Sequence, residues 1–233
     1  AADRLHTEEL VRLPGGFLCY RPPAGTSPVA PAPVLARGHV TFGSFNNIAK
    51  VTPETIETWS DILHAIPTAG LILKGKLLAD AAVRSRFLQQ FLARGIAAER
   101  ITLRPLVSEM IEHLRLYNEV DIGLDPFPYN GTTTTCEAFY MGVPVLSLIG
   151  DRHAGRVGLT LLSQVGLAHL AATDRSEYVR NAVGLASDIA ALAELRQKLR
   201  ARLQDSTLMD APRFARVFEA ALRDMWRRWC AET

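Results

Sequence analysis

Apolar positions along the chain fall into short runs of strand type separated by longer segments of helical spacing. Residues 40–45 form the first such run, and Ser44-Phe45-Asn46-Asn47 leads out of it toward Lys50. Thr52-Pro53-Glu54-Thr55 then sets a capping threonine, a proline at the first helical position and an acid in the first turn, and Ile56, Trp59, Ile62 and Leu63 follow at helical spacing. The pattern continues with a strand at 69–73, a helix at 79–92, a strand at 101–103, a helix capped by Ser108 and reaching 118, and a strand at 120–124. A helix opening near Thr132 and closed by Gly142 comes next, then a strand at 145–148, a helix at 154–165 and a short strand at 167–171. Three helical segments run from 176 onward, the last of them, 212–230, amphipathic through Phe214, Val217, Phe218, Ala221, Leu222 and Trp226. Strands alternating with helices over short loops predict an α/β fold: a Rossmann-like parallel sheet with helices on both faces, right-handed crossovers and a helical C-terminal tail.

The first 38 residues stand outside that alternation. Residues 1–20 hold two apolar clusters around Pro14-Gly15-Gly16 and read as the tail of a preceding domain. Residues 21–38 include Pro22, Pro23, Pro28, Pro31 and Pro33 among small residues, the composition of an extended linker. The Rossmann-like domain is expected to occupy 39–233.

Composition narrows the class without naming an activity. With 233 residues, 48% of them apolar, the chain is long enough for one sizeable core, and its apolar runs are too short and too interrupted for a membrane span. A formal charge of +2, from 26 basic and 24 acidic residues, carries no polyanion-binding signature, so nucleic acid is not an expected partner. Cys19, Cys136 and Cys230 are far apart and lack metal-ligand spacing, which predicts neither a disulfide nor a zinc site. No basic segment followed by an apolar one opens the sequence, so a cytoplasmic location is the expectation.

Candidate chemistry concentrates in Asn130-Gly131-Thr132-Thr133-Thr134-Thr135-Cys136-Glu137, between the 120–124 and 145–148 runs. Asn-Gly supplies a tight turn that tolerates positive φ, and threonines at a helix start set hydroxyls beside unpaired N–H groups where an anion is favoured. Glu137 lies after Thr133 and Thr134 on one helical face, placed to accept hydrogen bonds from sugar hydroxyls. Asn-Gly before four β-branched residues is equally a hairpin signal, and both readings stand at this point. Ligands of such sheets bind beyond the carboxyl ends of the strands, which groups the loops carrying Asn46, Asn47 and Lys50, residues 106–108, and residues 126–134. No GxGxxG, P-loop or Asp-x-Asp motif is present. Taken alone, Lys50 is a solvated lysine and His113 a half-buried histidine on an amphipathic helix. His153 and Arg156 read as part of a helix-start loop near the same sheet edge, and Trp226 and Trp229 as helix packing residues.

Three motifs in order then carry a resemblance: Gly43-Ser44-Phe45-Asn46-Asn47-Ile48-Ala49-Lys50; Pro105-Leu106-Val107 with His113 downstream; and 121–125 with Tyr129-Asn130-Gly131-Thr132-Thr133-Thr134-Thr135-Cys136-Glu137. Together they resemble the carboxyl-terminal catalytic half of the O-linked N-acetylglucosamine transferases of the bacterial SPINDLY-like kind, GT-B glycosyltransferases that use a UDP-sugar. The resemblance spans nearly the whole chain and makes Leu13-Pro14-Gly15-Gly16-Phe17 similar to the end of the amino-terminal catalytic half. It implies that Lys50 contacts the diphosphate with Asn47 in support, and that His113 lies against uracil while the backbone near Val107 and Ser108 reads the base edge. It further implies that Thr133 and Thr134 bind phosphate and that Glu137, an aspartate in the animal enzymes, holds the ribose. Met110 and Thr132 depart from the animal pattern, which has lysine and histidine there.

The implied reaction is inverting, metal-independent transfer of N-acetylglucosamine from UDP-GlcNAc to Ser or Thr hydroxyls of a protein acceptor. The expected partners are an amino-terminal catalytic half and tetratricopeptide repeats, so nucleotide binding with little transfer is expected of this chain alone. The alternatives are a non-catalytic UDP-binding or partner-docking module and, more distantly, another GT-B activity such as a nucleotide-sugar epimerase.

Overall fold

The computed structural model describes residues 2–232. Six parallel strands form a sheet in the order β3-β2-β1-β4-β5-β6: β1 Thr41–Ser44, β2 Gly70–Lys74, β3 Ile101–Arg104, β4 Ile122–Leu124, β5 Val145–Leu148 and β6 Ala171–Ala172. The predicted Rossmann-like architecture is borne out. Phe42, Leu71, Leu73, Ile122, Leu124 and Leu146 are all buried, as expected of strands covered on both faces.

A single helical turn, α1 (Val34–Arg37), precedes the sheet, and the longer helices come after its strands: α2 (Pro53–Ala65), α3 (Ala81–Leu92), α4 (Met110–Arg115), α5 (Thr133–Tyr140) and α6 (Val157–Gln164). Thr52 caps α2 as its sequence predicts, accepting the Thr55 N–H, with Pro53 in the first turn. Asp80 caps α3 through the N–H groups of Ala82 and Val83, which moves that helix start past the expected residue 79. After β6, α7 (Arg175–Ser187) packs on α2, while α8 (Ile189–Gln204) packs on α5. The last helix, α9 (Ala211–Glu232), buries none of its residues; Phe218, Leu222, Met225, Trp226 and Trp229 are exposed. Trp226 and Trp229 stack on each other, with centroids 5.2 Å apart, rather than entering the core.

Several expected boundaries change for identifiable reasons. Ser108 is exposed and caps nothing: the chain bends there, the extended Glu109 takes the cap position, and α4 continues as a 3-10 turn, Leu116–Glu119. The helix expected at 154–165 is split into a 3-10 turn, His153–Gly155, and α6, with Arg156 between them. The strand expected at 167–171 is a 3-10 turn over Ala168–Leu170 and then the two residues of β6.

The proline-rich stretch is strapped to the domain. Ala32 and Val34 belong to the core, and the wholly buried Arg196 of α8 donates Nε–H to Ala30 O (2.9 Å), an Nη1 hydrogen to Val120 O (2.7 Å) and an Nη2 hydrogen to Tyr117 O (3.2 Å). Ahead of it, Tyr20 is buried and its N–H donates to Leu208 O at 2.7 Å, so the first residues run against the turn before α9. Among the described residues no helix is long and apolar enough to cross a membrane.

Candidate functional site

The crevice of this sheet lies where the strand order reverses. β1 and β4 are neighbours, but the chain leaves β1 toward β2 and leaves β4 toward β5, so their exit loops diverge at the carboxyl ends of the strands. The loop after β1 holds the buried Asn46 and the exposed Asn47. Asn47 Oδ1 accepts the Ala49 N–H at 3.1 Å and so caps a 3-10 turn, Ile48–Lys50. That turn aims Lys50 across the crevice: its Nζ donates to Asn130 O at 2.8 Å and lies 4.0 Å from the centroid of the Tyr129 ring. Burial pushes the Lys50 pKa down, and the Asp125 carboxylate pulls it back up.

The facing loop is built from below by Asp125, which is wholly buried at the end of β4. Its Oδ1 accepts the Gly131 N–H at 2.6 Å and its Oδ2 the Ser147 hydroxyl at 2.9 Å. Burial outweighs both bonds and raises the Asp125 pKa to about 7. Asn130, also wholly buried, gives its Nδ2 to Pro126 O (3.3 Å), accepts the Gly158 N–H on Oδ1 (3.2 Å) and donates its own N–H to Ala154 O (2.9 Å). The loop is thereby tied both to the segment between β5 and α6 and to its own start.

Neither Asn130 nor Gly131 has positive φ, so the glycine meets a different need from the one its Asn-Gly context predicts. A Cβ at Gly131 would stand 2.7 Å from Asn46 Oδ1, 2.9 Å from Thr135 Oγ1 and 3.0 Å from Asp125 Oδ1, so the position is reserved for want of space. The threonine run after it opens α5 and forms no hairpin. Thr132 caps α5 by backbone position alone, with no side-chain hydrogen bond, and the N–H groups of Thr133, Thr134 and Thr135 have no partner within the helix. The Thr133 side chain is exposed and that of Thr134 half-buried, both in the turn that faces the crevice.

One turn deeper, Glu137 is 8% exposed, and its Oε2 receives both the Nε2 side of His113 (2.9 Å) and the Tyr117 hydroxyl (3.3 Å). The single hydrogen of Tyr117 is shared with Thr134 O, which lies 3.1 Å from the hydroxyl. The Nδ1 of His113 meets Lys74 Nζ, and Lys74, the last residue of β2, is wholly buried with its Nζ 4.3 Å from the Phe45 ring centroid. Burial lowers the Lys74 pKa to about 8, against the pull of Glu137. Beside this cluster runs a groove lined by Phe45, Asn47, Ala49, Gly75, Leu77 and Leu106. Chemically the crevice offers fixed positive charge, a helix N-terminus and one carboxylate with a free oxygen, a set suited to an anion joined to hydroxyl groups.

Residues 33–218 match the sequence profile of glycosyl transferase family 41. The chain belongs to that family. Among curated relatives it is 48% identical over 229 residues to a Solanum lycopersicum protein described as a probable UDP-N-acetylglucosamine–peptide N-acetylglucosaminyltransferase, SPINDLY, covering 98% of this chain and 25% of that one. It is 30% identical over 191 residues to the UDP-N-acetylglucosamine–peptide N-acetylglucosaminyltransferase of Caenorhabditis elegans, covering 82% of this chain and 16% of that one. A solved mutant of the Thermobaculum terrenum O-GlcNAc transferase superposes with a TM-score of 0.91 at 39% identity, over 99% of this chain and 43% of that chain. Sucrose-phosphate synthase from Thermosynechococcus elongatus shares the fold, with a TM-score of 0.59 at 19% identity over 92% of this chain and 52% of that one. The chain thus spans about a quarter of the length of the first of these curated relatives. The family resemblance carried by the three motifs is borne out.

In this family 41 chain the residues singled out by sequence do not all meet. Lys50, Thr132, Thr133 and Thr134 border the junction of the two exit loops, and His113 joins Glu137 directly. Asn47 spends its side-chain oxygen on the turn that carries Lys50. Val107 is half-buried and Ser108 exposed on the segment after β3, next to Leu106 of the groove. Met110 is 49% exposed. His153 is turned away to Phe17, edge to face at 4.8 Å, and Arg156 donates to Gly150 O at 3.3 Å, so only the backbone of that loop, through Ala154, supports the crevice. Lys74 and Tyr117 are the members that sequence reasoning missed; a lysine closing the otherwise apolar Leu71-Ile72-Leu73 run was the available signal for the first. Among the described residues no three His, Cys, Asp or Glu side chains come together as a metal site.

Proposed function

We propose that this chain is the donor-binding half of a protein O-glycosyltransferase, in which a second Rossmann-like domain and acceptor-holding tetratricopeptide repeats lie outside the 233 residues. The donor is a UDP-sugar, UDP-GlcNAc by the descriptions of the relatives; the acceptor is a Ser or Thr hydroxyl of a protein, and the chain works in the cytoplasm. The observation that carries this reading is the meeting of Lys50 with the backbone just ahead of α5, while Glu137 waits one turn further in.

Cleaving the bond between sugar and UDP requires stabilising a diphosphate leaving group. Lys50 has three N–H donors and spends one on Asn130 O, which leaves two for phosphate oxygens. The unpaired N–H groups and hydroxyls of Thr133 and Thr134, with Thr132 at the cap, supply the rest of the anion site. Charge preorganised in this way performs the electrostatic work that other transferases assign to a metal ion. Glu137 Oε1, the oxygen not used by His113 or Tyr117, accepts the ribose hydroxyls. The base lies along the groove by Phe45 and Leu106, near His113, with the backbone at Val107 and Ser108 reading its edge and Asn47 keeping the Lys50 turn in place.

Calorimetric titration of the purified chain with UDP, with and without magnesium, tests this. Saturable binding that does not depend on magnesium is expected, weakened by about tenfold or more in Lys50→Ala and in Glu137→Ala. A folded chain that binds no UDP, or one whose affinity ignores both substitutions, would sink the reading.

A further inference from the structure

We propose that Lys74 is a positioning residue for the nucleotide site: its ammonium donates to Nδ1 of His113, holds the imidazole in the tautomer protonated on Nε2, and through that N–H fixes Glu137 with Oε1 turned to the ligand. The inference rests on the nucleotide-binding reading above and extends it to a residue that touches no ligand.

The chemistry of the three groups sets the direction of the chain of bonds. An ammonium has donors and no acceptor, so the nitrogen it meets must offer a lone pair. Lys74 Nζ meets Nδ1, which leaves the ring proton on Nε2, and Nε2 is the atom 2.9 Å from Glu137 Oε2. The opposite tautomer would set an N–H against the ammonium and a lone pair against the carboxylate. Both contacts would then be repulsive. The remaining neighbours agree: the face of Phe45 lies 4.3 Å from the ammonium and partly replaces its lost water, and the Tyr117 hydroxyl, its one hydrogen shared with Thr134 O, lies against the same Oε2. Both protein donors thus fall on one carboxylate oxygen, and the other is left for the ligand.

Burial separates this arrangement from ordinary packing. Lysine is almost never fully buried unless paired, and Lys74 is 0% exposed with His113 as its one hydrogen-bond partner among the described residues. A methionine could fill the same volume but could not set the imidazole. The three members come from β2, α4 and α5, so the relay ties the carboxylate of Glu137 to the end of β2.

The test uses the intact chain labelled with 15N-histidine. The ring nitrogens of His113 should report an unprotonated Nδ1 and a protonated Nε2, and Lys74→Met should disturb that tautomer. UDP affinity should fall about tenfold in Lys74→Met, with affinity for 2′,3′-dideoxy-UDP unchanged, because the loss belongs to the ribose contact. A wild-type ring protonated on Nδ1, or on both nitrogens, would overturn the proposal, as would equal losses for the two nucleotides. Should Lys74→Met fail to fold, the wild-type spectrum decides alone. If wild-type protein did not distinguish UDP from its dideoxy form, the ribose reading would fall while the His113 spectrum still judged the role of Lys74.

Discussion

Gly131→Ala perturbs the crevice with a single methyl group. The added Cβ would come within 3.0 Å of three polar atoms, Asn46 Oδ1, Thr135 Oγ1 and Asp125 Oδ1, and the last of these also accepts the Gly131 N–H at 2.6 Å. Asn46 can yield a little, because its Oδ1 has no hydrogen-bond partner, but Thr135 is fixed to α5 and Asp125 to Ser147. Relief therefore requires the loop to lift and the hydrogen bond to Asp125 to lengthen. Overpacking of this kind costs about 2 kcal/mol, which in a domain of this size lowers the melting temperature by roughly 4–8 °C. If Thr133 and Thr134 hold the diphosphate, the same shift moves their N–H groups off the phosphate, and UDP affinity should drop by ten- to a hundredfold at about 1.4 kcal/mol per decade. Gly142→Ala is the control. Gly142 lies just past the other end of α5 at φ +78°, where an added Cβ would meet Arg196 O and Val29 at 2.6 Å, so it should lose at least as much stability and leave UDP affinity within about twofold. Calorimetric titration beside thermal unfolding reads both quantities. Equal affinity in the two variants would refute the placement of the phosphate site at the start of α5.

Asp125→Asn should flatten part of the pH dependence of stability. A carboxyl group raised from 3.8 to about 7 on folding gives stability that is complete below pH 3.8 and is lost as the pH climbs through 7, a change of about 4 kcal/mol. An asparagine there still accepts the Gly131 N–H and can donate to Ser147, so chemical denaturation should show it gaining on wild type between pH 4 and pH 7; parallel curves would refute the buried carboxylate. Arg196→Met removes three donors from the carbonyls of Ala30, Val120 and Tyr117 and should cost about 3 kcal/mol or more. Limited proteolysis should then cut within residues 21–38 first, and unchanged resistance there would show that Arg196 is not what straps the stretch down.

How far the molecule was legible depended on how local each cause was. The alternation of strands and helices rests on periodicity and caps within a dozen residues, and Thr52-Pro53 and the 145–148 run came out where their sequence places them. The Thr run read equally as a hairpin and as a helix start, and only the fold decides for the helix; Lys50, a solvated lysine taken alone, was drawn to the crevice by its place after β1 and by the family resemblance. Failures have distant causes. Nothing in residues 21–38 reveals that Arg196, 166 positions after Ala30, will satisfy their carbonyls. Lys74 is invisible in the site for the same reason: its partner is 39 residues on, and the two meet only because β2 lies beside β1 while α4 folds back over the strand ends. Gly131 was recognised for the wrong property, since local pattern speaks of φ and only the packed loop shows the missing space.

The crevice is also one-sided in its chemistry. Asp125 uses both oxygens on Gly131 and Ser147, His113 uses both nitrogens on Lys74 and Glu137, and Glu137 Oε2 is taken by two donors. Glu137 Oε1 is the remaining free carboxylate oxygen of this cluster, and it sits one turn behind the helix start, on the side suited to a ribose. The charged and backbone groups at the junction of the two exit loops are donors, Lys50 and the first N–H groups of α5, while the threonine hydroxyls and the unpartnered Asn46 Oδ1 are neutral. Such a set suits a diphosphate and holds no strong base for an incoming hydroxyl. That asymmetry agrees with a donor-binding half whose acceptor side is completed by a second domain, and with a chain that spans 43% of the Thermobaculum terrenum O-GlcNAc transferase chain it superposes on.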